Sequence, residues 1–230
     1  MYSLAGKVAV VTASTRGIGR ACAEMLAENG AMVFVAARNE ESGNAVAASM
    51  SERGWKAWFV RFDAEKPEDC ARIMESVAER EGRLDILVNN YGSTDVARDK
   101  DLVGGDSEAF FRIVRSNIQS VYLTCKHAVP HMIPTGGSII NISSIGSVVP
   151  DLSSWHTAFP SRGQLADKEH RASVCPPQYP LQRGAAGPDC HGCGHEEHVR
   201  RVQGAFSQAC SAGARGQAGG CCCRRPVLRQ

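Results

Sequence analysis

No stretch of the 230 residues reaches the roughly 18 apolar positions that a membrane-spanning helix needs. Neither sign of charge dominates: 26 basic and 24 acidic side chains leave a net charge of +2. That balance lacks the basic field expected of a nucleic-acid partner. Met1 to Lys7 show no basic stretch leading into a long apolar run, so a secretory leader is not expected and a cytoplasmic location is. Tyrosine is scarce, occurring only at positions 2, 91, 122 and 179. With 43% hydrophobic and 22% charged residues, the length suits one domain able to bury a core.

Other shortages fall on one side of a break. Residues 1–150 hold 16 basic and 18 acidic side chains and three cysteines, Cys22, Cys70 and Cys125. Residues 151–230 hold 10 basic and 6 acidic side chains, seven cysteines, four leucines, and no isoleucine or methionine. Glycine, alanine, arginine, cysteine and proline take the place of the large aliphatics. The expected organisation is a folded unit over 1–152 and a tail over 153–230 too poor in large apolar residues to build a core, hence disordered.

Within the first part, short β-branched runs alternate with helical periodicity. Val8–Thr12, Val33–Ala37, Ala57–Val60, Leu84–Val88 and Ser138–Ile142 read as strands. Between them, Ile18, Ala21, Cys22, Met25 and Leu26 recur at helical spacing before Gly30. Further helices are expected from Glu40 to Glu52, from Pro67, and within Phe110 to His127. Such alternation forces parallel strands joined by crossover helices. The fold class is therefore α/β, a Rossmann-like doubly wound parallel sheet, ending here after its fifth strand. Ligands of such sheets sit beyond the carboxyl ends of the strands.

The first strand runs into Thr12-Ala13-Ser14-Thr15-Arg16-Gly17-Ile18-Gly19 and then directly into a helix. Glycines in that place let the backbone turn tightly and let a pyrophosphate approach the positive helix terminus. After the second strand, where a carboxylate would hold the ribose 2′-hydroxyl of NAD, stand Ala36-Ala37-Arg38. Arg38 with Arg16 suits a 2′-phosphate, so NADP is the expected cofactor.

These features resemble the short-chain dehydrogenase/reductase family over residues 4 to about 152. The family's motifs are T-G-x-x-x-G-x-G, an Asp after the third strand, N-N-A-G after the fourth, a helix Asn, and a Ser after the fifth. Here they read Thr12 to Gly19 (with Ala13 for the first Gly), Asp63-Ala64, Asn89-Asn90-Tyr91-Gly92, Asn117 and Ser144. The resemblance implies that Asp63 meets an adenine ring and that Asn90 and Gly92 line the cofactor cleft. It also implies a water relay through Asn117, a substrate oxygen on Ser144, no metal, and a homotetramer. The stretch around Asn89-Asn90-Tyr91-Gly92, Asp106 to Tyr122, Ile133 and Ser143 to Asp151 are similar to NADP-dependent 7α-hydroxysteroid dehydrogenases, implying bile-acid substrates. A 3-oxoacyl-carrier-protein reductase or another keto-reductase is the neighbouring alternative.

The family's proton donor, a tyrosine about 13 residues after the serine with a lysine four later, is missing. A lysine is needed there to lower the phenol's pKa from about 10. Tyr122 and Lys126 have the spacing but precede the serine strand, and read as helical coincidence. The expected place holds Trp155 to Ser161. Read one frame over, codons for Trp155 to Ser161 permit Ala-Tyr-Cys-Val-Ser-Lys, with the pair in register. The tail is accordingly read as out-of-frame translation. Taken literally, Cys190-x-x-Cys193-x-His195-x-x-His198 has zinc-ligand character and would suit a non-catalytic nucleotide-binding protein.

Overall fold

The computed structural model describes residues 3–95, 97–98, 104–143 and the backbone of 171–174. Five strands and four helices alternate as the hydrophobic periodicity predicts: β1 (Val8–Thr12), α1 (Gly17–Glu28), β2 (Met32–Ala37), α2 (Glu40–Glu52), β3 (Ala57–Arg61), α3 (Pro67–Glu81), β4 (Ile86–Asn89), α4 (Ser107–Met132) and β5 (Gly137–Asn141). They form one sheet in the order β3-β2-β1-β4-β5, every pair parallel. Val10 lies opposite Phe34 on one side and Leu87 on the other, so the central strands are buried on both faces.

Alternation along β1 and β2 divides the core. Ala9, Val11, Val33 and Val35 face α1 and α2 with Cys22, Leu26, Val46 and Met50. Val8, Val10, Phe34 and Ala36 face α3 and α4 with Ile73, Met74, Val77, Ala128 and Met132. The turn from β1 is thereby aimed at the start of α1, where a phosphate-binding turn belongs.

Caps set the helix ends. Asn39 Oδ1 accepts the Ser42 N–H at 2.8 Å, starting α2. Pro67 opens α3, and Gly82, at φ +69°, closes it. Asp106 Oδ1 accepts the N–H groups of Glu108 and Ala109, so α4 begins three residues ahead of the expected Phe110. It also runs on to Met132, past Pro130.

The sheet does not stop at its fifth strand. A sixth, β6 (Arg171–Val174), pairs antiparallel with β5, Ser138 opposite Ser173. The outer edge of β5 offers unpaired N–H and C=O groups, and these recruit a strand whatever its side chains. Composition carries no signal for that pairing. The rest of the expected tail, with its Cys/His cluster, lies outside the described residues.

Candidate nucleotide cleft

The reversal of strand order falls between β1 and β4, and there Thr12 joins the two strand ends. Its buried hydroxyl accepts the N–H groups of Asn90 and Tyr91, at 2.9 and 3.1 Å. The Asn90 amide donates to the carbonyls of Thr12 and Ala13, both at 3.2 Å. Asn90 thus fixes the shape of the turn through its side-chain amide. Ser14 is likewise fully buried, its hydroxyl donating to the Val11 carbonyl at 2.7 Å. Thr12, Ser14 and Asn90 thus hold the turn in shape.

The turn's own backbone explains its glycines. Gly17 has φ +56°, where a side chain is strained. Gly19 is excluded from bearing a side chain by proximity: a Cβ there would lie 2.5 Å from the Ala13 carbonyl oxygen and against the Asn90 amide. Ala13, standing where the motif has glycine, takes φ +52° and carries the strain. Ile18 turns inward and packs on the core beside α1.

A cleft of about 740 Å³ opens above these strand ends. Ala13, Thr15 and Arg16 enter it from β1, and Ala37, Arg38 and Asn39 from β2. Phe62 enters from β3, Tyr91 and Gly92 from β4, and Glu41, Ser42 and Ala45 from α2. Arg16 and Arg38 are exposed, and neither pairs with a carboxylate among the described residues. One side is therefore basic, tempered by Glu41, and the other aromatic.

Asp63 lies just past Phe62, half-buried, and its carboxylate accepts the Glu65 N–H at 3.1 Å. Its own N–H donates to Asp69 Oδ2 at 2.9 Å, while Arg72 reaches both Asp69 and the Arg61 carbonyl at 2.8 Å. Burial of Asp69 opposes its ionisation, but Arg72 and the Asp63 N–H outweigh it and hold its pKa below the usual value. The turn after β3 is thus braced by a charged pair. Ala64 is buried and borders a different hollow, of about 440 Å³, beside α4; it does not reach the cleft.

On the other flank, Asn117 of α4 uses both ends of its amide on one peptide. Its Oδ1 accepts the Ser93 N–H at 2.8 Å and its Nδ2 donates to the Ser93 carbonyl at 2.9 Å. The residue ties the loop after β4 to the helix, and one N–H and one lone pair of its amide stay free of these two bonds. Beneath it, Asn89 Nδ2 donates to Asn141 Oδ1 at 2.9 Å and Asn89 Oδ1 accepts the Thr124 hydroxyl at 2.8 Å. This clamp holds the end of β5 two residues before Ser143. Ser144 lies outside the described residues. Burial pushes the Cys70 thiol up to about 11, and raises Cys125 despite the Asn89 amide, so neither offers a thiolate near neutral pH.

The residues that spacing alone missed are Asn39, Phe62, Glu41, Ser42 and Ala45. Their signal is positional, since each follows a strand end or begins α2. Tyr91 stood out only as a departure from N-N-A-G.

Sheet order, switch point and glycine turn define a doubly wound nucleotide-type domain with its ligand cleft at the carboxyl edge. The sequence pattern of the short chain dehydrogenases matches residues 7–155, and the chain belongs to that family, whose members use a nicotinamide cofactor. It is 58% identical over 154 residues to a 7α-hydroxysteroid dehydrogenase of Clostridium sardiniense, covering 66% of this chain and 59% of the relative. A 7α-hydroxysteroid dehydrogenase of Paraclostridium sordellii is 43% identical, with 63% and 55% covered. A crystal structure of a Sinorhizobium meliloti protein described as a short-chain alcohol dehydrogenase superposes with a TM-score of 0.64 at 31% identity, over 70% of this chain and 63% of that one. The chain thus spans less than two thirds of the length of these relatives.

Proposed function

We propose that this chain carries the cofactor half of an NADP-dependent oxidoreductase acting on a secondary alcohol or ketone, with the 7α-hydroxyl of a bile acid as substrate. The observation that carries the cofactor choice is the basic side of the cleft. Arg16 and Arg38 converge there without a carboxylate partner among the described residues, and guanidinium groups suit a phosphate monoester on the ribose. The turn at Gly17 and Gly19 fits a pyrophosphate, and the aromatic side fits a base. When bound, the nicotinamide accepts or donates hydride. Identity to two 7α-hydroxysteroid dehydrogenases supports the substrate.

In this reading Thr12, Asn90 and Asn117 hold the site in shape, and Ser144 receives the substrate oxygen. Asn117, tied to Ser93 but with one N–H and one lone pair of its amide to spare, would anchor the water of a proton relay on this side of the cleft. A Tyr-x-x-x-Lys pair placed after the serine strand, where it would move the proton, is absent from the chain as written. We attribute this to translation out of frame from about residue 153. The family match ending at residue 155 supports a break there, and sequencing the coding DNA across codons 150–165 tests it.

The functional test is fluorescence titration of the 230-residue chain with NADPH and NADH, then turnover of a 7α-hydroxy bile acid by the frame-restored chain. Tighter binding of NADPH and NADP-linked turnover are expected. Equal binding of NADH, or no turnover, would overturn the reading. Similarity to a 3-oxoacyl-carrier-protein reductase of Chlamydia pneumoniae, at 35% identity, makes a β-ketoacyl thioester the competing substrate. Bound zinc in the purified chain would instead favour a nucleotide-binding protein with a metal-holding tail. A cytoplasmic location and a homotetramer complete the proposal.

A further inference from the structure

The cleft has two chemically unlike sides. Arg16, Arg38 and Ser42 line one, beside α1 and α2. Phe62 and Tyr91 line the other, packed on the core beneath α3 and α4. Their rings meet edge to face, centroids 6.5 Å apart and planes at 89°, an arrangement that fixes both. Phe62 is a core residue at 2% exposure, its N–H bound to the Ala37 carbonyl at 2.9 Å. Tyr91 is half-buried and its N–H is held by Thr12 Oγ1 at 3.1 Å. Backbone and ring are both anchored, so Tyr91 offers a preset aromatic surface inside a cleft. The family pattern N-N-A-G has only a methyl group at this position.

We infer that Tyr91 is a cofactor-positioning residue of the cleft, supplying the aromatic surface on which the purine ring of a phosphorylated adenosine rests while Arg38 holds the ribose phosphate. The inference rests on the nucleotide reading above and adds a residue to it. Phe62 is too buried to present a face, so it serves as the backing for Tyr91. A flat base opposite a tyrosine gains π contact and excludes water, and this tolerates either ring edge. The nicotinamide half would lie toward Gly92 and α4, away from the corner, and would not sense the tyrosine.

The test measures binding to the full chain by calorimetry with three probes, NADPH, 2′-phospho-ADP-ribose and reduced nicotinamide mononucleotide, and with plain ADP-ribose as a fourth for the Arg38 variant. Tyr91→Ala is expected to weaken the two adenosine probes roughly tenfold and by the same factor, leaving the mononucleotide unchanged. Tyr91→Phe keeps wild-type affinity, because the ring and not the hydroxyl is used. Tyr91→Leu, which keeps bulk, loses as much as alanine and carries the test if the smaller residue unfolds the chain. Arg38→Ala weakens 2′-phospho-ADP-ribose while leaving plain ADP-ribose untouched. Unaltered NADPH affinity in both Tyr91→Ala and Tyr91→Leu, with wild type binding, overturns the role of Tyr91 and spares the nucleotide reading. Equal weakening of the mononucleotide would show a merely structural role. A wild-type chain that binds no probe removes the nucleotide reading, and this assignment with it.

Discussion

Ala13 is the residue at which this chain departs from its family at a structural price. Its φ of +52° places an L side chain in the left-handed region, at about 1–2 kcal/mol. Ala13→Gly relieves that strain and gives back part of the gain as unfolded-state entropy. A net stabilisation of about 0.5–1 kcal/mol is expected, seen as a higher urea midpoint at unchanged slope. Gly19 behaves in the opposite way. Gly19→Ala forces a methyl group against the Ala13 carbonyl and the Asn90 amide, opening the turn. NADPH affinity should fall roughly tenfold or more, and an alanine variant that binds like wild type would mean that the turn does not touch phosphate. The glycines could be located from spacing. That Asn90 and Ser14 donate to carbonyls of the turn could not, because this depends on which carbonyls the fold brings alongside.

At the scale of elements, α4 carries the unresolved tension. Ile113, Ser116, Ser120 and Thr124 face the core, while Phe111, Ile118 and Tyr122 stand exposed on the far side. Their 7- and 11-residue spacing from Phe111 forms one stripe on the helix. No described element covers it, and a stripe of three large apolar side chains is suited to association. Ile118→Lys is expected to lower the oligomeric state in sedimentation while leaving the melting temperature within about 2 °C. A wild-type chain that is monomeric at high concentration would contradict this. The same stripe contains Tyr122, whose lysine four residues on mimics a catalytic pair. It stands exposed on the outer face of α4, outside the residues that line the cleft.

Across the whole molecule, the amino ends of β1 and β4 are joined by one buried carboxylate, at the opposite edge from the cleft. Asp85 accepts the Val8 N–H at 3.0 Å and pairs with Lys7 at 2.9 Å and with Arg83 through two nitrogens. Burial opposes its charge, but Arg83, the Val8 N–H and Lys7 overcome that and hold its pKa below 3.8. A carboxyl that is more acidic in the fold than in the unfolded chain adds stability above the unfolded pKa. That stability is lost as pH falls through the folded value. Asp85→Asn should therefore remove about 2–4 kcal/mol at neutral pH, and the variant should lose less than wild type between pH 5 and pH 2, the range that Asp titration spans. Chemical denaturation at several pH values measures both.

The alternation of apolar runs determined the strands, the helices, their parallel pairing and the carboxyl edge as the ligand side. It did so because periodicity and connection length are local properties that leave few topologies open. What only the tertiary structure decided is which motif residues face the cleft and which brace it, that Tyr91 and Phe62 form a corner, and that an antiparallel strand covers the edge of β5. Those outcomes come from residues about 30 to 80 positions apart meeting at one place, and no local pattern encodes a distance of that kind.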